Sequence, residues 1–172
     1  MSEKSVSIAF TGDLSFTKYF SDLSVREKII DNTVYNFLAQ SDYCVGNIEG
    51  PVMSAKYANG KEFSHFTDAS KAALIAGMNI KIWNLANNHM LDFGDDGLNE
   101  TLKYAEKNGC CFVGAGKNAD DASTPIIINE GAGVGIISVT YTSAFSKNGG
   151  KCRCLNWNDT ESIKKSIAEI RS

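Results

Sequence analysis

Short apolar runs alternate with amphipathic stretches along this chain. Residues 6–11, 43–45, 80–85 and 110–113 read as buried strands, too short and too apolar for helices. Residues 25–38 place Val25, Ile29, Ile30, Val34, Phe37 and Leu38 on one helical face. Residues 69–76 predict a short helix closed by Gly77, and residues 97–107 an amphipathic helix ending at Asn108-Gly109. Residues 125–129 and 134–139, joined by Glu130-Gly-Ala-Gly133, predict a hairpin. Asp159 and Thr160 cap a last helix over 163–170, and residues 53–67 have no period and read as a loop. Strands alternating with helices imply an α/β fold in one domain, residues 1–172, without repeats or linkers. In such an alternation the last helix normally leads to another strand. None follows, so the chain is expected to be the N-terminal portion of a longer domain.

Three of the strands run into polar clusters. Residues 5–11 lead to Gly12-Asp13, residues 43–45 to Gly46-Asn-Ile-Glu-Gly-Pro51, and residues 80–85 to Asn87-Asn88-His89. Open α/β sheets bind ligands outside the carboxyl ends of their strands. Three strand ends bearing oxygen donors therefore suggest one site built from separate loops. Asp13 and Glu49 are candidate carboxylate ligands, Asn88 an amide ligand, and His89 a proton donor. Pro51 should push Gly50 towards extended geometry and so fix where that loop points. Asp92 lies just before a helix and suits a turn or helix entry. His65, among aromatics, is a candidate substrate contact, as are Asn47 and Asn87. Gly114-Ala-Gly116 is too short a pattern for a phosphate loop, and Ser138 has no base beside it.

Composition narrows the function class. The chain has 172 residues, a formal net charge of -3, and no stretch of the roughly 20 apolar residues a membrane helix needs. Nucleic acid is not an expected partner, since binding it requires a basic face. The N-terminus has no secretory signal, which reads as cytoplasmic, or as exported or membrane-associated if a leader has been removed. Five cysteines cannot all pair. Cys44, Cys110 and Cys111 read as buried and reduced, whereas Cys152-Arg-Cys154 reads as a surface loop.

Phe10-Thr-Gly-Asp13, Gly46-Asn-Ile-Glu-Gly-Pro51 and the segment from Asn84 through Asn87-Asn-His89 to Leu98 together resemble the CapA-like bacterial capsule synthesis proteins, associated with poly-gamma-glutamate. Gly109–Gly116 and Val134–Tyr141 continue the likeness. The resemblance implies a branch of the calcineurin-like metallophosphoesterases, a layered α-β-β-α sandwich, here truncated at the C-terminus. It also implies two divalent metal ions, Mn or Zn, held by Asp13, Glu49 and Asn88 with His89 alongside, and an anionic polymer or small-molecule substrate. Two departures stand out. Asp13-Leu-Ser15 lacks the His that many metallophosphoesterases carry there, and the downstream His motifs are absent, both His lying before residue 90. Metal binding is therefore expected to be weak. The function implied is a metal-dependent hydrolase or polymer-processing enzyme of capsule synthesis; the alternative is a non-catalytic polymer-binding module. An incomplete sheet edge would also favour a homo-oligomer.

Overall fold

The computed structural model describes residues 5–16, 30–54, 65–131, 133–141 and 149–172. In chain order its first half holds β1 (Ile8–Leu14), α1 (Asn32–Gln40), β2 (Tyr43–Ile48), β3 (Val52–Met53), β4 (Thr67–Asp68), α2 (Ala72–Gly77) and β5 (Ile80–Asn84). Then come α3 (Gly94–Lys107), β6 (Cys111–Val113), β7 (Ala115–Gly116), α4 (Ala119–Ser123), β8 (Ile126–Ile128), β9 (Val134–Ile136), β10 (Arg153–Cys154) and α5 (Thr160–Ile170).

Four parallel strands in the order β1-β2-β5-β6 form the central sheet. Its two faces are both apolar, as parallel sheets require. On one, Cys44, Ile48, Ile80 and Trp83 pack with Leu38, Ala72, Ile75, Leu98, Leu102 and Ala105 from the helices. On the other, Val45, Ile82 and Val113 pack with Ile128 and Ile136 of the antiparallel β8–β9 hairpin. The result is a mixed α/β fold, helices on one face of a parallel sheet and the hairpin opening a second β layer, consistent with a metallophosphoesterase-like sandwich. Among the described residues no helix is long and apolar enough to cross a membrane.

Several boundaries move, with consequences for the site. β1 and β2 run three residues past the apolar pattern, to Leu14 and Ile48. Pairing carries them there: after an irregularity between Phe10 and Asp13, Asp13 aligns with Asn47 and Leu14 with Ile48. Asp13 and Asn47 thus sit on strands, not loops. The hairpin shortens to its paired residues. α1 starts at Asn32, capped by Asp31, whose carboxylate accepts from Thr33 N at 2.7 Å. Of the face expected over 25–38, Leu38 is buried while Val34 and Phe37 are exposed; residues 25–29 lie outside the described residues. α3 and α5 each begin three residues earlier than their apolar periods, because polar first turns are invisible to periodicity.

Gly77 ends α2 from inside, and the left-handed turn falls instead at Asn79 (φ 65°). Asparagine tolerates that region, and its Nδ2 donates to Leu38 O and Ser41 O at 2.9 and 3.0 Å, closing the end of α1. Gly50 likewise departs from expectation. Its φ is +75°, left-handed rather than extended, a conformation open to glycine, and the His65 carbonyl lies against the place a Cβ would take. The close approach of the 65–68 segment outweighs the preference imposed by Pro51.

Candidate functional site

The strand ends of the parallel sheet carry a polar row. Asp13 on β1, Asn47 on β2 and Asn84 on β5 are register partners in turn. Their side chains bond across it: Asn47 Nδ2 donates to Asp13 Oδ1 at 2.6 Å, and Asn84 Nδ2 donates to Asn47 Oδ1 at 3.1 Å. Asn47 Nδ2 also donates to Glu49 Oε2 at 3.0 Å, so two carboxylates from neighbouring strand ends converge on one amide. Ser138 Oγ donates to Asn84 Oδ1, extending the row towards the second β layer.

The turn after β5 is braced against β2 by Asn87. It is buried, donates to Ile48 O at 2.7 Å and Asn47 Oδ1 at 3.2 Å, and accepts from the backbone N–H of Gly50 and His89. One amide thus ties the β2 loop to the β5 turn and aims His89 between them. Asn88, next in sequence, is exposed.

His89 Nδ1 lies 2.8 Å from Asp92 Oδ2, and its Nε2 3.8 Å from Glu49 Oε1. An ionised Asp92 can only accept, so Nδ1 carries the proton and Nε2 is left facing Glu49. His65 is exposed and stacks on this ring at 4.2 Å with a 48° tilt. The arrangement can hold positive charge against two carboxylates and exchange a proton at Nε2.

Asp13, Asn47, Glu49, Asn87, His89 and His65 are therefore brought together, with Asn88 on the turn that carries His89. The hydrogen-bonding capacity of Asn47 is filled within the protein: two N–H groups donate and the oxygen accepts twice. Three further participants carry only weak signals of this role in the sequence. Asp92, read as a helix-entry residue, orients His89; its i,i+3 spacing was the available signal. Asn84 was hidden inside an apolar run, and Ser138 is brought in only by packing. Gly114, φ +89°, lets Ser138 approach: a Cβ there would fall 2.9 Å from Ser138 Cβ. Gly116 is equally structural: a Cβ there would run into Asp121 of α4.

Two carboxylate oxygens bound to one nitrogen suit a hard divalent cation, which prefers oxygen donors. The Ser15 hydroxyl, two residues beyond Asp13, is buried and has no hydrogen-bond partner among the described residues. Among those residues no three His, Cys, Asp or Glu side chains converge on one point. The donors thus fit a partial, oxygen-rich sphere.

The cysteines lie apart from this chemistry. All five are free, and Cys111 is exposed, not buried as expected, because it begins the outer strand β6. Cys152 and Cys154 are buried rather than in a surface loop, since β10 pairs with β7 and Asp95 accepts the N–H of Lys151 and Cys152 at 2.8 and 3.1 Å. Burial, then Asp95, pushes the Cys152 thiol up to about 11; burial pushes Cys154 up to about 12.

Residues 7–171 match the family described as "Bacterial capsule synthesis protein PGA_cap". The chain is similar to the PGA biosynthesis protein CapA of Bacillus subtilis (strain 168), 30% identical over 85% of this chain and 40% of that protein. It is also similar to the capsule biosynthesis protein CapA of Bacillus anthracis, 29% identical over 81% of this chain and 35% of that protein. An uncharacterized Sinorhizobium fredii protein, y4sH, is 24% identical over 66% of this chain and 28% of its own length. The chain thus spans well under half the length of these relatives. With a match across nearly its whole length, the chain belongs to the bacterial capsule synthesis protein family PGA_cap.

Proposed function

We propose that this chain supplies the metal-binding part of a capsule-synthesis enzyme that processes an anionic polymer such as poly-gamma-glutamate by metal-dependent hydrolysis. The observation that carries the reading is the convergence of Asp13 and Glu49 beside an Asp92-oriented His89 at the carboxyl ends of parallel strands. Asp13, Glu49 and Asn88 would hold one or two divalent cations, Mn or Zn. Such a cation, when bound, activates water and offsets negative charge developing on the substrate. Around it, Asn87 holds the β2 loop and β5 turn in fixed relation, and His89 offers Nε2 for proton transfer. In hydrolysis the water oxygen bonds to the electrophilic centre and the bond to the leaving group breaks. The leaving group takes its proton from Nε2 of a doubly protonated His89, and the proton given up by the attacking water returns to that nitrogen. His65, whose ring packs against that of His89, is the substrate contact in this reading. A chain of net charge -3 with an exposed Asp13 repels a polyanion unless a cation lies between them.

The partial donor set favours one second reading, a non-catalytic module that binds polymer through a loosely held cation. Calorimetric titration with Mn²⁺ and Zn²⁺ of this chain, Asp13→Ala and Asn88→Ala tests the metal site common to both. Stoichiometric binding that both substitutions abolish is the expected result. Equal uptake by all three would overturn the assignment. Hydrolysis of poly-gamma-glutamate by a longer family protein, lost in His89→Ala, separates enzyme from module.

A further inference from the structure

We propose that Asn47 is the positioning residue of this site, its amide standing between Asp13 and Glu49 in place of a cation and setting how tightly a real one binds. This rests on the reading that those carboxylates hold an ion. Asn47 Oδ1 accepts from Asn84 Nδ2 and from Asn87 Nδ2, at 3.1 and 3.2 Å. Turning the amide over would set its N–H groups against two further donors, which no hydrogen bond could satisfy. Its NH₂ therefore faces the carboxylates, at 2.6 and 3.0 Å.

Both clamps are themselves fixed. Asn84 Oδ1 takes Ser138 Oγ and the Ala86 N–H, the latter at 3.0 Å. Asn87 Oδ1 takes the N–H of Gly50 and of His89, at 3.4 and 3.2 Å. The orientation of one amide is thus held from two strands, two turns and the second β layer. Carboxylates drawn this close repel each other, and a shared N–H donor reduces that repulsion. The pair is consequently assembled before any ion arrives. A neutral amide also leaves two negative charges where an aspartate would make three, and cation affinity at oxygen sites rises with ligand charge. Asn47 accordingly keeps ion binding weak and exchangeable.

Thermal unfolding and calorimetry with MnCl₂ on this chain, Asn47→Asp and Asn47→Ala test the idea. Asn47→Asp should lose stability without Mn²⁺, recover it as Mn²⁺ is added, and bind the ion roughly tenfold tighter than wild type or better. Asn47→Ala, which removes the stand-in but adds no charge, should lose stability and gain less affinity than Asn47→Asp. If the two variants respond to Mn²⁺ alike, the amide is only structural and the proposal falls. Should Asn47→Asp not fold, Asn84→Ala decides: removing one of the two donors that hold Asn47 Oδ1 loosens the amide and should raise Mn²⁺ affinity, and no rise would overturn the proposal. The outcomes are separable from those of the functional reading. A wild type indifferent to Mn²⁺ beside a responsive Asn47→Asp removes the metal-dependent function and keeps the positioning role. A responsive wild type without a gain in Asn47→Asp does the reverse.

Discussion

At the scale of single residues, the site works by fixing which face each polar group presents. Asp92 does so for His89: a carboxylate at Nδ1 admits only the tautomer that carries its proton there. With only two His in the chain, the ring nitrogens are resolvable by long-range ¹⁵N–¹H correlation. At a pH where the ring is neutral, His89 should be the Nδ1–H tautomer, and Asp92→Asn should give a mixture, since an amide can donate or accept. An unchanged tautomer would show that Asp92 does not orient the ring. The dyad was only half legible in the sequence: His89 stood out at a strand end, whereas Asp92 looked like an ordinary helix-entry residue.

At the scale of elements, the loop between β2 and the helices is tied down by side-chain bonds that no periodicity reveals. Thr101, fully buried on α3, donates to Gly97 O and accepts from Val52 N, each at 2.8 Å, and so docks β3 on the helix. Thr101→Val keeps the shape and leaves the Val52 N–H buried without a partner. The expected cost is about 1–3 kcal/mol in denaturant unfolding. A change within about 0.5 kcal/mol would mean the N–H finds another acceptor. The same segment leads from Pro51 to Glu49, so this bond also anchors one wall of the site. Gly50 illustrates the limit of local rules: a proline after it favours extended backbone, but the His65 carbonyl packed against it leaves no room for a side chain and the glycine turns left-handed.

At the scale of the whole molecule, burial of the Cys152–Cys154 strand couples stability to alkaline pH. Both thiols hold their protons more tightly folded than unfolded, where the ordinary value is 9.0. Their contribution is complete below pH 9 and is lost as the pH rises towards about 11 for Cys152 and about 12 for Cys154. Unfolding free energy should fall from pH 9 to 11, on the order of 3 kcal/mol from Cys154 alone, and Cys154→Ala should flatten that slope. Parallel slopes in both proteins would show that other groups govern alkaline unfolding.

The alternation of strands and helices, the buried central strands and the motifs of the PGA_cap family were all readable along the chain. Each depends on near neighbours in sequence: burial repeats with the period of the element, and the motifs sit where strands end. Asp13, Glu49 and His89 were recognisable for the same reason, as polar residues interrupting apolar runs. Tertiary structure alone decided how they meet. The register that aligns Asp13, Asn47 and Asn84, the amide shared by two carboxylates, and the approach of Ser138 past Gly114 all join distant segments. The burial of Cys152 and Cys154 likewise followed from pairing with β7 and the anchoring carboxylate of Asp95. Pairing and hydrogen-bond satisfaction are properties of the assembled sheet, and a period in the sequence cannot carry them.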